Sequence, residues 1–167
     1  MTRIAGRLFL IANCNSVAFS LSFRYNIAVV QDSIRILQAQ GHKATKPRKL
    51  VLEILEEIDK PLSPYDIQGI LRARGKYLNP VTIYRILGLL CSLNLAHKML
   101  SSGGFVKCSL EAMEGCHRFM VCQDCGAIQE FADKALCQEE NDFARNFGFH
   151  TEHHLSEFSG LCSRCHK

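Results

Sequence analysis

Asn79-Pro80-Val81-Thr82-Ile83-Tyr84-Arg85-Ile86-Leu87-Gly88-Leu89-Leu90-Cys91-Ser92-Leu93 is followed, two residues on, by Ala96-His97-Lys98-Met99-Leu100, Ser101-Ser102-Gly103-Gly104 and Phe105-Val106-Lys107-Cys108. Asn79 at a cap position and Pro80 at the first helical position start a helix. Ile83, Ile86, Leu87, Leu90 and Leu93 recur at the helical period and mark its buried face, which leaves Thr82, Arg85 and Leu89 on a different side. The two short stretches beyond the helix, joined by a Ser-Ser-Gly-Gly turn, read as a hairpin. A long helix followed by such a hairpin is the second half of a winged helix-turn-helix.

The residues upstream supply the first half. Ser33 to Gln40 carries Ile34 and Leu37 on one face, and Gly41 ends that segment. Thr45 reads as an N-cap with Pro47 in the first turn, ahead of an apolar stripe from Leu50 to Ile58 that Lys60 and Pro61 close. Ser63-Pro64-Tyr65-Asp66 combines an N-cap, a first-turn proline and an acid three residues on, a capping box in front of Ile67, Ile70 and Leu71. Residues 32–110 hold twelve Lys/Arg against six Asp/Glu, the sign expected of a surface that meets a polyanion. On the fourth helix Arg85 is placed to read guanine in a major groove, while Thr82 and Tyr84 suit phosphate or thymine-methyl contacts. Tyr65, Lys46, Arg48 and Lys49 complete the candidate DNA-binding set, the basic residues neutralising phosphates.

Residues 111–167 reverse the charge, with ten Asp/Glu against five Lys/Arg, and they carry two Cys-x-x-Cys pairs, Cys122/Cys125 and Cys162/Cys165. Four thiolates offered to one ion make a structural zinc site, because a d¹⁰ ion asks only for four soft ligands in a tetrahedron. Gly126 after the first pair lets the knuckle close. A redox Cys-x-x-Cys would be expected once, opening a helix after a strand. Paired spacing of this kind among nine cysteines predicts reduced thiols and a cytoplasmic location. The chain thus divides into residues 32–110, a helical and β-winged DNA-binding domain, and residues 111–167, a metal-binding domain. Residues 1–31 form an extension that fits neither. Arg3 and Arg7 precede a short apolar run there, but Asn13 and Asn15 break it, it is too short to span a bilayer, and the expectation is a disordered or weakly helical extension, for which an upstream start assigned too early is one account.

Thr82-Ile83-Tyr84-Arg85, His97, Cys108, His117, Cys122-Gln123-Asp124-Cys125-Gly126, Glu130 and Cys162-Ser163-Arg164-Cys165 occur in an order that resembles the ferric uptake regulator (Fur) family over residues 33–166, most closely its zinc uptake regulator branch. The resemblance implies an α+β protein: an N-terminal winged helix-turn-helix domain, a hinge over residues 110–115, and a C-terminal α/β domain that forms a homodimer through its sheet. It implies structural zinc on Cys122, Cys125, Cys162 and Cys165, and a regulatory zinc on His97, Cys108, His117 and Glu130, about two Zn²⁺ per chain. Cys108 stands where iron-sensing members tend to carry a carboxylate, and the Asp59-Lys60-Pro61-Leu62 loop lacks their histidine. Cys116, His150 and His154 make a candidate third metal site, His154 by resemblance and His150 because strand alternation would put the two histidines on one face. Cys91 and Cys137 read as helical core residues.

The expected function is a zinc-responsive repressor of zinc uptake genes, with zinc as co-repressor and an inverted-repeat duplex operator as partner. No membrane partner, small-molecule substrate or catalysis is expected. The rivals are an iron- or peroxide-responsive member of the family, a zinc enzyme and a zinc storage protein. A zinc deaminase would place Pro ahead of a Cys-x-x-Cys pair, and neither pair has one.

Overall fold

The computed structural model describes residues 30–110, 116–151 and 155–166. Four helices come first: α1 over 30–39, α2 Lys46–Glu57, α3 Pro64–Ala73 and α4 Pro80–Ser92. Their starts follow from the caps. Ser63 Oγ accepts from the Asp66 amide at 3.2 Å while the Asp66 carboxylate accepts from the Ser63 amide at 2.8 Å, and Asn79 Oδ1 accepts from the Val81 amide at 2.8 Å. Thr45 sits at the cap position of α2 but makes no side-chain cap bond. One apolar core joins Leu37 of α1, Ile54 of α2, Ile67 of α3 and Leu87 of α4, each with no exposed surface.

The hairpin packs on this core. Strand β1 (Ala96–Lys98) pairs antiparallel with β2 (Phe105–Lys107), and Phe105 exchanges two 2.9 Å backbone bonds with Leu62, so the α2–α3 loop adds a third rung to the wing. The two glycines of the turn do different things. Gly103 takes a φ of 67°, and a Cβ on Gly104 would lie 2.7 Å from Pro61 Cβ, which forbids a side chain where the wing crosses the loop. Glu56 of α2 is buried with Lys107 as its ion-pair partner and Ser33 of α1 at 3.4 Å, which ties the helices to the strand that leads into Cys108.

The second unit is a three-stranded sheet in the order β4-β3-β5, from β3 (His117–Cys122), β4 (Ile128–Ala132) and β5 (Ser156–Gly160), with α5 (Lys134–Asn146) between β4 and β5. β3 runs antiparallel to β4 and parallel to β5. Phe119 of β3 is 1% exposed and meets Met99 and Val106 of the hairpin, the apolar contact through which wing and sheet join. No residue of α5 is buried, although its N-cap Asp133 accepts from the Ala135 and Leu136 amides. What holds it is a disulfide from Cys116, beside β3, to Cys137, together with Arg118, whose guanidinium donates to Glu140 at 2.6 Å. The expectation that all thiols are free, with Cys137 in a core, is corrected here: α5 turns back over the start of β3 and brings the Cα atoms of Cys116 and Cys137 to 5.9 Å, within bonding range. Cys91 does pack against the helical core. The residues 111–115, where most of the expected hinge lies, and the extension up to residue 29 fall outside the described residues.

Candidate metal centres and nucleic-acid interface

Two groups of donor atoms converge among the described residues, and in each the atoms lie within 4.8 Å of one another. The first is Cys122, Cys125, Cys162 and Cys165. Parallel pairing of Cys122 with Gly160 places the end of β5 beside the end of β3, so the two knuckles face each other across a 40-residue separation. Gly126 at φ 68° closes the first knuckle, its amide donating to the Cys122 carbonyl at 3.0 Å. Cys125 and Cys162 Sγ are 3.7 Å apart, against an edge of about 3.8 Å for a tetrahedron of sulfurs with Zn–S near 2.3 Å. Backbone amides of Cys125 and Cys162 directed at the Cys122 sulfur bring that thiol down to about 6, so this sulfur favours thiolate. Cys165 is pushed up, by hydrogen bonding with Asp124 and by its sulfur neighbours, as expected of the last proton to leave a crowded set.

The second group draws one donor from each of four places: His97 in β1, Cys108 just past β2, His117 in β3 and Glu130 in β4. His117 Nδ1 is 2.6 Å from Glu130 Oε1, and Cys108 Sγ lies 3.7 Å from His117 Nδ1 and 3.6 Å from Glu130 Oε1. Those sulfur distances are close to the edge of about 3.5 Å that tetrahedral zinc sets between a sulfur and a nitrogen or oxygen ligand. His97 Nε2 comes within 3.1 Å of the same carboxylate oxygen but out of line for a hydrogen bond, and it is a buried polar atom without a hydrogen-bond partner. A buried nitrogen aimed at a carboxylate and a thiol without bonding either suits a cation between them. Burial raises the Glu130 carboxyl, but the adjoining His97 and His117 imidazoles and a hydrogen bond from the Ser109 amide together outweigh it and hold the group below its usual value. Burial also pushes the Cys108 thiol up to about 12, with Glu130 adding to the effect. The donor set of two imidazoles, one thiol and one carboxylate fits a borderline-soft divalent ion. A cavity of about 280 Å³ whose wall mixes apolar Leu55, Val106 and Phe119 with Asp59, Lys107 and Glu130 lies beside it, and Glu130 is the one of the four donors that lines it.

The candidate third site does not assemble among the described residues. Cys116 is bonded to Cys137 and has no thiol to offer. His150 is exposed in the stretch after α5 and not on a strand, because β5 begins only at Ser156. His154 lies outside the described residues.

The helical face carries the predicted nucleic-acid set. Thr82, Tyr84 and Arg85 are exposed on the first turns of α4, Tyr65 is exposed at the start of α3, and Lys46 and Lys49 are exposed on α2. Arg48 donates to the Lys43 carbonyl at 2.6 Å and is partly engaged in its own loop. Tyr84 stacks edge-on against Phe105, ring centroids 6.1 Å apart, which fixes α4 against the wing. Sequence reasoning missed the Ser109 amide on Glu130 Oε2, a backbone contact that leaves no signal in residue identity.

Comparison with known proteins follows the same lines. The model of the ferric uptake regulator family matches residues 39–159. The zinc uptake regulation protein of Escherichia coli is 30% identical over 129 residues, covering 76% of this chain and 75% of that protein. The ferric uptake regulation protein of Cupriavidus metallidurans is 32% identical over 126 residues, covering 74% and 87%. Among solved structures, a zinc uptake regulator complexed with zinc and DNA superposes with a TM-score of 0.78 at 26% identity, over 84% of this chain and 94% of that one.

Proposed function

The chain belongs to the ferric uptake regulator family, and we propose that within it this protein is a zinc-responsive repressor of zinc uptake genes, dimeric, cytoplasmic and active on an inverted-repeat operator. The observation that carries the reading is the second donor group: Cys108 and His97 come from the wing side, His117 and Glu130 from the sheet side, and all four donor atoms lie within 4.8 Å. Zinc bound there would supply a divalent positive charge that satisfies the carboxylate and lets the Cys108 sulfur become a thiolate.

The chain's own residues do the rest. Convergence of the four side chains fixes the wing and α4 relative to the sheet, with the domain division at residue 110. In a dimer joined through the sheets, that angle sets the separation of two α4 helices, which must be near one DNA turn, about 34–36 Å, for both half-sites to be read. The geometry that brings the donors together is also the one that binds DNA, so metal and operator select the same population. Leu136, Phe143, Phe147, Phe149 and Phe158 are each at least 40% exposed on the second unit, apolar side chains of the kind a second copy covers. Similarity to a zinc uptake regulator held on zinc and DNA supports the same reading. Among the described residues no helix is long and apolar enough to cross a membrane.

The test joins metal analysis to binding-site selection. Purified protein is expected to hold one zinc that a chelator does not exchange and a second that it does, and random duplex DNA is expected to yield an inverted repeat only when the second is loaded. Selection that follows Fe²⁺ and ignores Zn²⁺ would move the protein to the iron-responsive branch.

A further inference from the structure

One cross-strand row of the sheet faces the wing. Phe119 of β3 stands opposite Glu130 on β4 and opposite Glu157 on β5, so the three side chains share a face and span the sheet from edge to edge. Glu130 at one end meets His97 of β1, and Phe119 in the middle packs on Met99 and Val106. Glu157 at the other end reaches the wing turn, where its carboxylate accepts from the Leu100 amide and, at 3.1 Å, from the Ser101 amide.

The turn has a use for it. The Met99 amide donates to the Gly104 carbonyl at 2.8 Å, Gly103 to the Met99 carbonyl at 3.0 Å, and Gly104 to Ser102 Oγ at 3.2 Å. Leu100 and Ser101 donate to Glu157 instead, and an ionised acceptor makes both bonds stronger than a neutral one would. The contact uses backbone alone on the wing side and lies across the sheet from the metal donors.

We propose that Glu157 is a positioning residue that latches the wing turn to the sheet and so presets the wing for DNA binding independently of the ion. The proposal rests on the metal-responsive reading given above. With the latch in place part of the closed geometry is already secured, and less metal is needed to populate the rest. Glu157→Ala in the full chain is therefore expected to raise the free Zn²⁺ concentration for half-maximal operator binding by about tenfold, within the range of ordinary coupling between sites. Glu157→Gln, which keeps one accepting oxygen but sets its NH2 against the second amide, should recover only part of that shift.

Amide hydrogen exchange on the zinc-loaded proteins reads the latch without DNA. Leu100 and Ser101 should exchange faster in Glu157→Ala, while Met99 and Gly103, bonded within the turn, keep their wild-type rates. Unchanged exchange at Leu100 and Ser101 would overturn the latch, and faster exchange with an unchanged zinc midpoint would overturn its positioning role. If operator binding proves to follow Fe²⁺, the zinc reading falls while the exchange contrast and a midpoint measured in iron still judge Glu157.

Discussion

On the metal-responsive reading, Cys108 is the residue that would make the site depend on its ion. Its thiol is held at about 12 by burial and the nearby Glu130 carboxylate, so the protein alone keeps it protonated. Its backbone does separate work, the amide donating to the Leu95 carbonyl at 3.1 Å to finish the wing. Cys108→Ser should therefore preserve the fold and the non-exchanging zinc, and weaken the exchangeable zinc by about tenfold or more, as losses around metal ligands commonly do. Chelator competition checks it, and equal affinity would remove Cys108 from the site. The identity of these donors was legible in the sequence only as an ordered set of residues resembling a family. Spacing alone does not put His97 beside Glu130, because the approach depends on how the wing docks on the sheet. Glu157 carries no mark of its role in the sequence, since its partners are backbone amides more than fifty positions away.

At the level of elements, the helices were the most legible because their signals are local. The Ser63 and Asp66 capping box and the Asn79 cap are each complete within four residues, and the structure forms both. The strand expected to carry His150 starts later, at Ser156, because its place is decided by pairing with β3 and not by its own pattern. The Cys116–Cys137 link was missed for the same reason, since two cysteines 21 positions apart carry no mark of the path between them. α4 is the element whose surface bears the proposed activity. Arg85 is exposed there beside Thr82 and Tyr84, and a bidentate contact to guanine is worth about 1–3 kcal/mol of discrimination. Arg85→Ala is expected to relax base preference at one position in each half-site while leaving overall affinity measurable. A binding-site selection profile identical to wild type would rule out a base-reading role.

For the whole molecule, on the zinc-responsive reading, the thiolate cluster and the donor group divide the labour between holding and sensing. Cys122 and Cys125 follow β3, and Cys162 and Cys165 follow β5, so the cluster closes the ends of two paired strands in a unit whose one deeply buried apolar side chain among the described residues is Phe119. With so small a core, metal ligation at these four thiols would supply much of the folding free energy. Cys122→Ser should abolish the non-exchanging zinc and yield monomer by light scattering, and a stable dimer would argue against a structural role. The proposed sensing group would behave differently because its donors lie on both sides of residues 111–115. On the zinc-responsive reading, linkage runs in both directions: whatever factor the ion adds to the grip on the operator, the operator adds to the grip on the ion. A molecule seated on DNA would then surrender its metal more reluctantly than one in free solution. Zinc would have to fall further to clear an occupied promoter than to strip a free molecule.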